Sequence, residues 1–390
     1  MGNTLQTILT ARGLIVGLRV LFLGENWYGS CARACCYSLR RLGCDVQDVD
    51  AQTFLPQVHR LSSRLIVRAI KSVLVREYNE AIIKRATDFA PDLLLAFKGS
   101  FVLPETLQML RGKGIHLCNY YPDTSAFSHG PILPKSLPEY DHIFYTKRFW
   151  ARDVQKALRL RELVFLPHGY DPEIHRPLEL TFRDLRDYAH DCVVIATFTP
   201  AKEELLMELL RLRPSLELRI WGNQWRERCS APELQKHIMG AALDGQSYAK
   251  ALRAARINLA TLSGKVIGSS QGDETTTRTY EIPACGGFML HERTAELRDL
   301  FVEGEEVACF GSIDELAEKV DFYLAHPEER ERIAAAGHRR CVPAYSYDAR
   351  MRQLIDFHLG RSSSRPDVLP GAELESFANC CAGPSPFIVP

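Results

Sequence analysis

The chain has 390 residues, long for a single core, so two domains are expected. Hydrophobic residues make up 46% and charged residues 25%, and 48 basic side chains balance 48 acidic ones; this is a soluble globular composition with no global electrostatic case for a nucleic-acid partner. The twelve cysteines are scattered through apolar runs without a CxxC pair, which predicts free thiols in a reducing cytoplasm rather than a disulfide framework.

The opening stretch is broken by Arg12 and Arg19. It falls short of the ~20 apolar residues of a spanning helix and has no small-residue cleavage site, so neither a membrane span nor a signal peptide is expected. LRVLFLG (18–24) reads as a buried strand ending in glycine. SCARACCYSLRRLG (30–43) reads as a helix with Ser30 as N-cap and Gly43 as its stop, and CDVQDVD returns as a second strand. The loop GENWYGS (24–30) between them has two glycines but no GxGxxG, which argues against a dinucleotide cofactor. The stretch 59–85 is basic and amphipathic, with Arg60, Arg64, Arg68 and Lys71 on one helical face. It reads either as the solvated face of a covering helix or as a peripheral contact with an anionic membrane or a lipid-linked acceptor.

Further buried-strand runs begin at Pro91, Gly114, Asp141 and Glu162. A polar stretch, 175–191, follows, and strand–helix alternation then restarts with CVVIATFTP and AKEELLMELLRLRP. The expectation is an α/β chain of two doubly wound, Rossmann-like domains facing a cleft, the first spanning 1–178 and the second 179–345. Residues 346–360 are expected to form a helix packing back on the first domain. The Ser/Pro/Gly-rich tail 361–390 is expected to be disordered or loosely attached.

Within GDETTTRTYEIPACGGFML (272–290), Glu281 follows an arginine and precedes a Gly-Gly turn that opens a buried strand. A carboxylate accepts from two neighbouring ribose hydroxyls at once. Gly286 and Gly287 would let backbone approach a ligand without a Cβ. Arg278, three residues earlier and on the same helical face, suits a diphosphate, while Thr275, Thr276 and Thr277 offer hydroxyls and helix caps. The plainer reading is a helix-end carboxylate with a glycine stop and an Arg–Glu surface pair. Lys202 stands in the first turn of the helix after CVVIATFTP, either at an anion-favouring helix N-terminus or merely solvated. In NYYPDTSAFSHGP (119–131), Asp123 and His129 follow a strand, and either can serve as a general base or as an ordinary turn residue.

Several of these segments carry a family resemblance. TTTRTYEIPACGGFMLHERTAELRDLF and its continuation to Cys341 resemble the C-terminal domain of CgeB-like, spore-maturation-type glycosyltransferases. KRFWARDVQKAL, LVFLPHGYDPEIHRP and RIWGNQW resemble that family's connecting region and central strand, so the resemblance spans roughly 18–358. It implies a GT-B fold, a nucleotide-sugar donor held mainly by the second domain, no metal requirement, and no cofactor beyond that donor. On this reading Asp273 and Glu281 take the places of the two acids of an E-x7-E pattern, and Lys202 meets the donor diphosphate. Trp221 and Tyr248 bracket the base, while Gly24, Trp27 and Gly29 belong to an acceptor-side loop. The acceptor (glycan, lipid or protein), the stereochemical outcome and the oligomeric state stay open. So do two rivals of the same fold: a nucleotide-sugar epimerase and a non-catalytic nucleotide-sugar-binding protein.

Overall fold

A computed structural model describes residues 8–9, 15–55, 61–155, 157–361 and 368–370. The first domain runs β1 (Arg19–Gly24), α1 (Cys31–Arg41), β2 (Asp45–Asp50), α2 (Leu61–Phe89), β3 (Leu93–Phe97), α3 (Pro104–Gly112), β4 (His116–Tyr121), β5 (His142–Tyr145) and β6 (Glu162–Phe165). The second runs β7 (Cys192–Ile195), α4 (Pro200–Leu212), β8 (Leu218–Trp221), β9 (Ile238–Gly240), α5 (Gly245–Ala254), β10 (Ile257–Ala260), α6 (Arg278–Ala284), β11 (Met289–Glu292), β12 (Ala308–Phe310), α7 (Ile313–Ala325) and α8 (Pro327–Cys341). The chain then closes with α9 (Tyr347–His358) and β13 (Val368–Pro370).

The strands are short apolar runs with little alternation because helices cover both faces of each sheet. Leu93, Leu94, Leu95 and Ala96 of β3 are all fully buried, as are Cys192, Val193 and Val194 of β7. Helix starts follow local chemistry. Ser30 caps α1 by accepting from the amide of Arg33, and Thr199 caps α4 ahead of Pro200.

Strand order in the first sheet is β13–β6–β5–β4–β3–β1–β2, parallel except for β13, which lies antiparallel on β6. The second sheet is ordered β9–β8–β7–β10–β11–β12 and is wholly parallel. Each order reverses once, between β1 and β3 and between β7 and β10, which is where loops of doubly wound sheets part to admit a ligand. The edge strand β9, three residues long, carries too little pattern to be read from sequence. Of the expected tail, 362–367 and 371–390 lie outside the described residues. So do the side chains of Arg60, Arg64 and Arg68 on the basic face. Among the described residues no helix is long and apolar enough to cross a membrane.

The chain passes between domains twice, and the two passages run side by side. The amide of Tyr170 donates to the Tyr345 carbonyl at 3.1 Å, and the amide of Tyr347 donates back to the Tyr170 carbonyl at 2.9 Å. Beyond the second passage α9 lies on the first domain. There Tyr347, Met351, Leu354 and Ile355 are buried with Cys35 and Leu39 of α1, and Arg41 pairs with Asp348 at 2.6 Å.

Gly169 permits this contact, since a Cβ there would sit 2.9 Å from both the Tyr345 carbonyl oxygen and the Tyr347 amide. Both are backbone atoms with little room to yield. Gly169→Ala should therefore destabilise the protein by about 1–3 kcal/mol, read as a lower urea midpoint. An unchanged midpoint would show that the two passages can separate at no cost.

Candidate functional site

The carboxyl ends of the two sheets face each other across a cavity of about 1300 Å³. Ordinary small-molecule pockets run to roughly 300–1000 Å³, so this one has room for two substrates.

Its second-domain wall comes from the turns after β7 and β10 and from the start of α6. Lys202, in the first turn of α4, is 2% exposed. Its Nζ donates to the Thr197 carbonyl at 3.2 Å and to Ser263 Oγ at 3.1 Å. Burial, and then the neighbouring Arg278, push the amine down to about 8, while Asp273 and Glu292 pull the other way. The Arg278 guanidinium donates to the Thr261 carbonyl at 2.9 Å, and its buried Nε has no hydrogen-bond partner. Among the described residues neither cation has a carboxylate within ion-pair distance. Thr276 and Thr277 line the cavity beside them, and the Thr276 hydroxyl is buried and unpartnered. A buried lysine and a half-buried arginine with unused donors are the chemistry that would suit an anion.

Glu281 lies deeper, 8% exposed, with Oε2 accepting from the Tyr248 hydroxyl at 2.6 Å and Oε1 3.9 Å from His175 Nε2. It stands behind the cavity wall, not on it, and burial beside this carboxylate raises the Tyr248 phenol well above its usual range. Asp273 does line the cavity, but its carboxylate is taken by Lys147 Nζ at 2.9 Å. Lys147, from the turn after β5 and 3% exposed, also donates to the Thr275 carbonyl at 2.5 Å. A lysine of the first domain therefore holds the 273–277 loop of the second. Thr275 itself donates to Glu296, a carboxyl that burial pushes up to about 7.

The first-domain wall presents Lys98, Asp123 and His129. Lys98 takes a left-handed φ of 67° after β3 and places Nζ 2.7 Å from Asp123 Oδ2; His129 Nε2 lies 2.9 Å from the same oxygen. Burial favours the neutral acid, but the His129 contact and the Lys98 charge outweigh it and hold the Asp123 carboxyl well below its usual range. A carboxylate so held is a weak base. It is suited to orienting His129, whose other ring nitrogen has no protein partner among the described residues. His168 also faces the cavity, buried and lowered to about 3 by desolvation and Lys147.

Other expected positions are distributed unevenly. Gly24 and Trp27 line the cavity, with Trp27 45% exposed. Gly29 takes a φ of 100°, and a Cβ there would come within 3.3 Å of the Trp27 ring; Tyr28 beside it lies against Gly245 of the second domain, where a Cβ would collide with its ring. Trp221 points the opposite way, buried with the rings of Tyr188 and His190 at 6.0 and 6.2 Å. Gly286 and Gly287 also face away from the cavity. A Cβ on Gly286 would meet Arg253, and one on Gly287 would sit 2.5 Å from the Leu252 carbonyl. The glycines admit helix α5, not a ligand. Sequence reasoning passed over Lys98, Lys147, His168 and Ser263. For the two lysines the signal was available, because each stands within two residues of the ligand-facing end of a buried parallel strand.

Comparison with known proteins places this geometry. Residues 200–356 match the glycosyl transferase-like family. The spore protein CgeB of Bacillus subtilis (strain 168) is 33% identical over 85 residues, 22% of this chain; the match spans about a quarter (25%) of that protein's length. Among solved structures, sucrose-phosphate synthase from Thermosynechococcus elongatus superposes with a TM-score of 0.61 at 13% identity, covering 88% of this chain and 99% of that one. HepE of Anabaena in complex with UDP-glucose gives 0.58 at 12% identity over 89% and 100%. A glycosyltransferase from Rickettsia africae gives 0.58 at 10% identity over 89% and 99%. Identities this low speak for the fold.

An amine whose folded value lies below its ordinary value makes the folded state hold fewer protons than the unfolded one between about 8 and 10.5. Stability should therefore rise with pH across that window. Lys202→Met should stabilise the ligand-free protein near neutral pH by on the order of 1–3 kcal/mol, a gain that shrinks as pH approaches 10. Urea unfolding at pH 7 and pH 9.5 measures both. A variant less stable than wild type at pH 7 would mean that the lysine is structural.

Proposed function

We propose that this chain, whose residues 200–356 match the glycosyl transferase-like family, which is similar to CgeB over 85 residues and whose two Rossmann-like domains take the GT-B arrangement, is a cytoplasmic glycosyltransferase that moves a sugar from a nucleoside-diphosphate donor to an acceptor bound against the first domain. One observation carries the reading: the buried Lys202 and the half-buried Arg278, neither with a carboxylate, share the cavity with the Asp123–His129 pair on the opposite wall.

In this reading the donor diphosphate binds between Lys202 and Arg278. Charge grows on it as the glycosidic bond breaks, and fixed cations in a desolvated site stabilise that charge more in the transition state than in the ground state. Two protein cations are proposed to suffice, without a divalent ion. His129, oriented by Asp123, takes the acceptor proton as its oxygen attacks. Glu281, held by Tyr248, is proposed to meet the donor ribose once the wall in front of it yields. UDP is the first nucleotide to try because the HepE complex contains UDP-glucose.

Two measurements test the proposal. In thermal-shift titrations against UDP, GDP, dTDP, ADP and CMP with chelator present, one diphosphate should stabilise wild type, by about 2.7 kcal/mol at a hundredfold excess over Kd. Arg278→Ala should abolish the shift. His129→Ala should retain it but lose about 10²–10⁴-fold in donor turnover. Binding without turnover in wild type would favour a nucleotide-sugar-binding protein, and turnover to a free isomerised sugar would favour an epimerase.

A further inference from the structure

The starts of β4, β5 and β6, at the opposite end of the first sheet from the cavity, collect a second set of reactive side chains. In the sheet register Cys118 is the partner of His142, and His142 is the partner of Glu162. His116 stands two residues before Cys118 on the same face of β4. The end of α9 lies over this face, bringing the His358 ring 4.7 Å from that of His116 and the Phe357 ring 5.1 Å from that of His142. The donor atoms of His116, Cys118 and His142 all fall within 4.8 Å of one another. His358 Nδ1 is buried without a hydrogen-bond partner, and Cys118 is fully buried.

Hydrogen bonding accounts for two of these rings and leaves His358 Nδ1 without a partner. His142 Nε2 lies 2.7 Å from Glu162 Oε2, so that nitrogen carries a proton, and the neutral ring then has a lone pair at Nδ1. His142 Nδ1 faces His116 Nε2 at 2.7 Å. A hydrogen bond there needs the proton on His116 Nε2, which leaves His116 Nδ1 as a lone pair directed towards Asp141 Oδ2, 3.8 Å away. The other His116 tautomer, with its proton on Nδ1 towards Asp141, would leave lone pairs on both inner nitrogens. Imidazoles whose outer nitrogens face carboxylates and whose inner nitrogens converge are the arrangement seen around bound metal ions.

We propose that His116, Cys118, His142 and His358 bind one zinc-like divalent transition-metal ion, with Glu162 and Asp141 orienting the two strand histidines. Imidazole and thiolate together suit zinc better than magnesium or calcium, which prefer oxygen. Neighbouring donors around a tetrahedral zinc are about 3.3–3.8 Å apart; the donor atoms of His116, Cys118 and His142 already lie within 4.8 Å of one another, and His358, whose ring is 4.7 Å from that of His116, would join them by side-chain rotation. On binding, the imidazoles stay neutral and the Cys118 thiol releases its proton to solvent; no redox step is involved. The ion would pin α9 to the amino ends of three strands, roughly 10–20 Å from the cavity. Its role is structural.

The test uses the full chain, stripped with a chelator and then titrated with Zn²⁺ or Co²⁺. Wild type should retain about one equivalent of Zn²⁺ through gel filtration. Its Co²⁺ form should show the intense visible bands of tetrahedral cobalt and a thiolate charge-transfer band. Cys118→Ala should lose the charge-transfer band, and His142→Gln and His358→Gln should each weaken Zn²⁺ affinity at least ~10-fold. Circular dichroism and the nucleotide thermal shift report that these variants are folded, since none of the residues touches the cavity. Failure of wild type to take up either metal, or uptake that is equally tight in all three variants, would overturn the proposal.

Discussion

Everything in the cavity depends on how the two chain passages between domains are held. A single linker would leave the carboxyl ends of the two sheets free to drift apart. Here Tyr170 exchanges backbone hydrogen bonds with Tyr345 and Tyr347, and Gly169 lets the strands touch without a side chain between them. Beyond that clamp, α9 buries Tyr347, Met351, Leu354 and Ile355 in the first domain, so the second passage is anchored at both ends. Loops contributed by residues far apart in sequence can then face each other at hydrogen-bonding distances.

Within the cavity, charge is arranged so that some groups are satisfied and others are not. Asp123 has Lys98 and His129, and Asp273 has Lys147. Lys202 and Arg278 have backbone carbonyls and a serine hydroxyl instead of carboxylates. Desolvating Lys202 without a paired carboxylate is unfavourable in the empty protein, as its lowered value indicates. Sites that look wrong for stability in this way are commonly sites whose partner arrives from outside. Under the proposed function, Asp123 of the first domain and the cations of the second would divide two tasks: holding a proton acceptor in place and receiving an anion.

Much of the architecture was readable from the sequence because parallel strands buried on both faces leave unbroken apolar runs, as in PDLLLAFKG and CVVIATFTP. The edge strand β9 was not, since three residues carry no periodicity. In the site, Lys202, Arg278 and Asp123 were readable because each stands just after a strand or at the start of a helix. Trp221 misled because a strand-end tryptophan looks the same in sequence whether it faces a ligand or, as here, Tyr188 and His190. Gly286 and Gly287 misled for a similar reason, since the need for a missing Cβ comes from Leu252 and Arg253, contacts that only the fold creates. The partnership of Lys147 with Asp273 joins residues more than a hundred positions apart, and nothing local in either segment announces it.

That partnership has a consequence for how the two halves of the cavity behave. Lys147 belongs to one domain, yet its ammonium fixes the loop that ends in Arg278 on the other through Asp273 and the Thr275 carbonyl. Whatever displaces or tightens this lysine on the first-domain side alters the free energy of the anion site on the second. Thermodynamic linkage then requires that filling the anion site alter binding on the first-domain side by the same factor. Any two ligands that share such a cavity would therefore feel each other partly through one lysine.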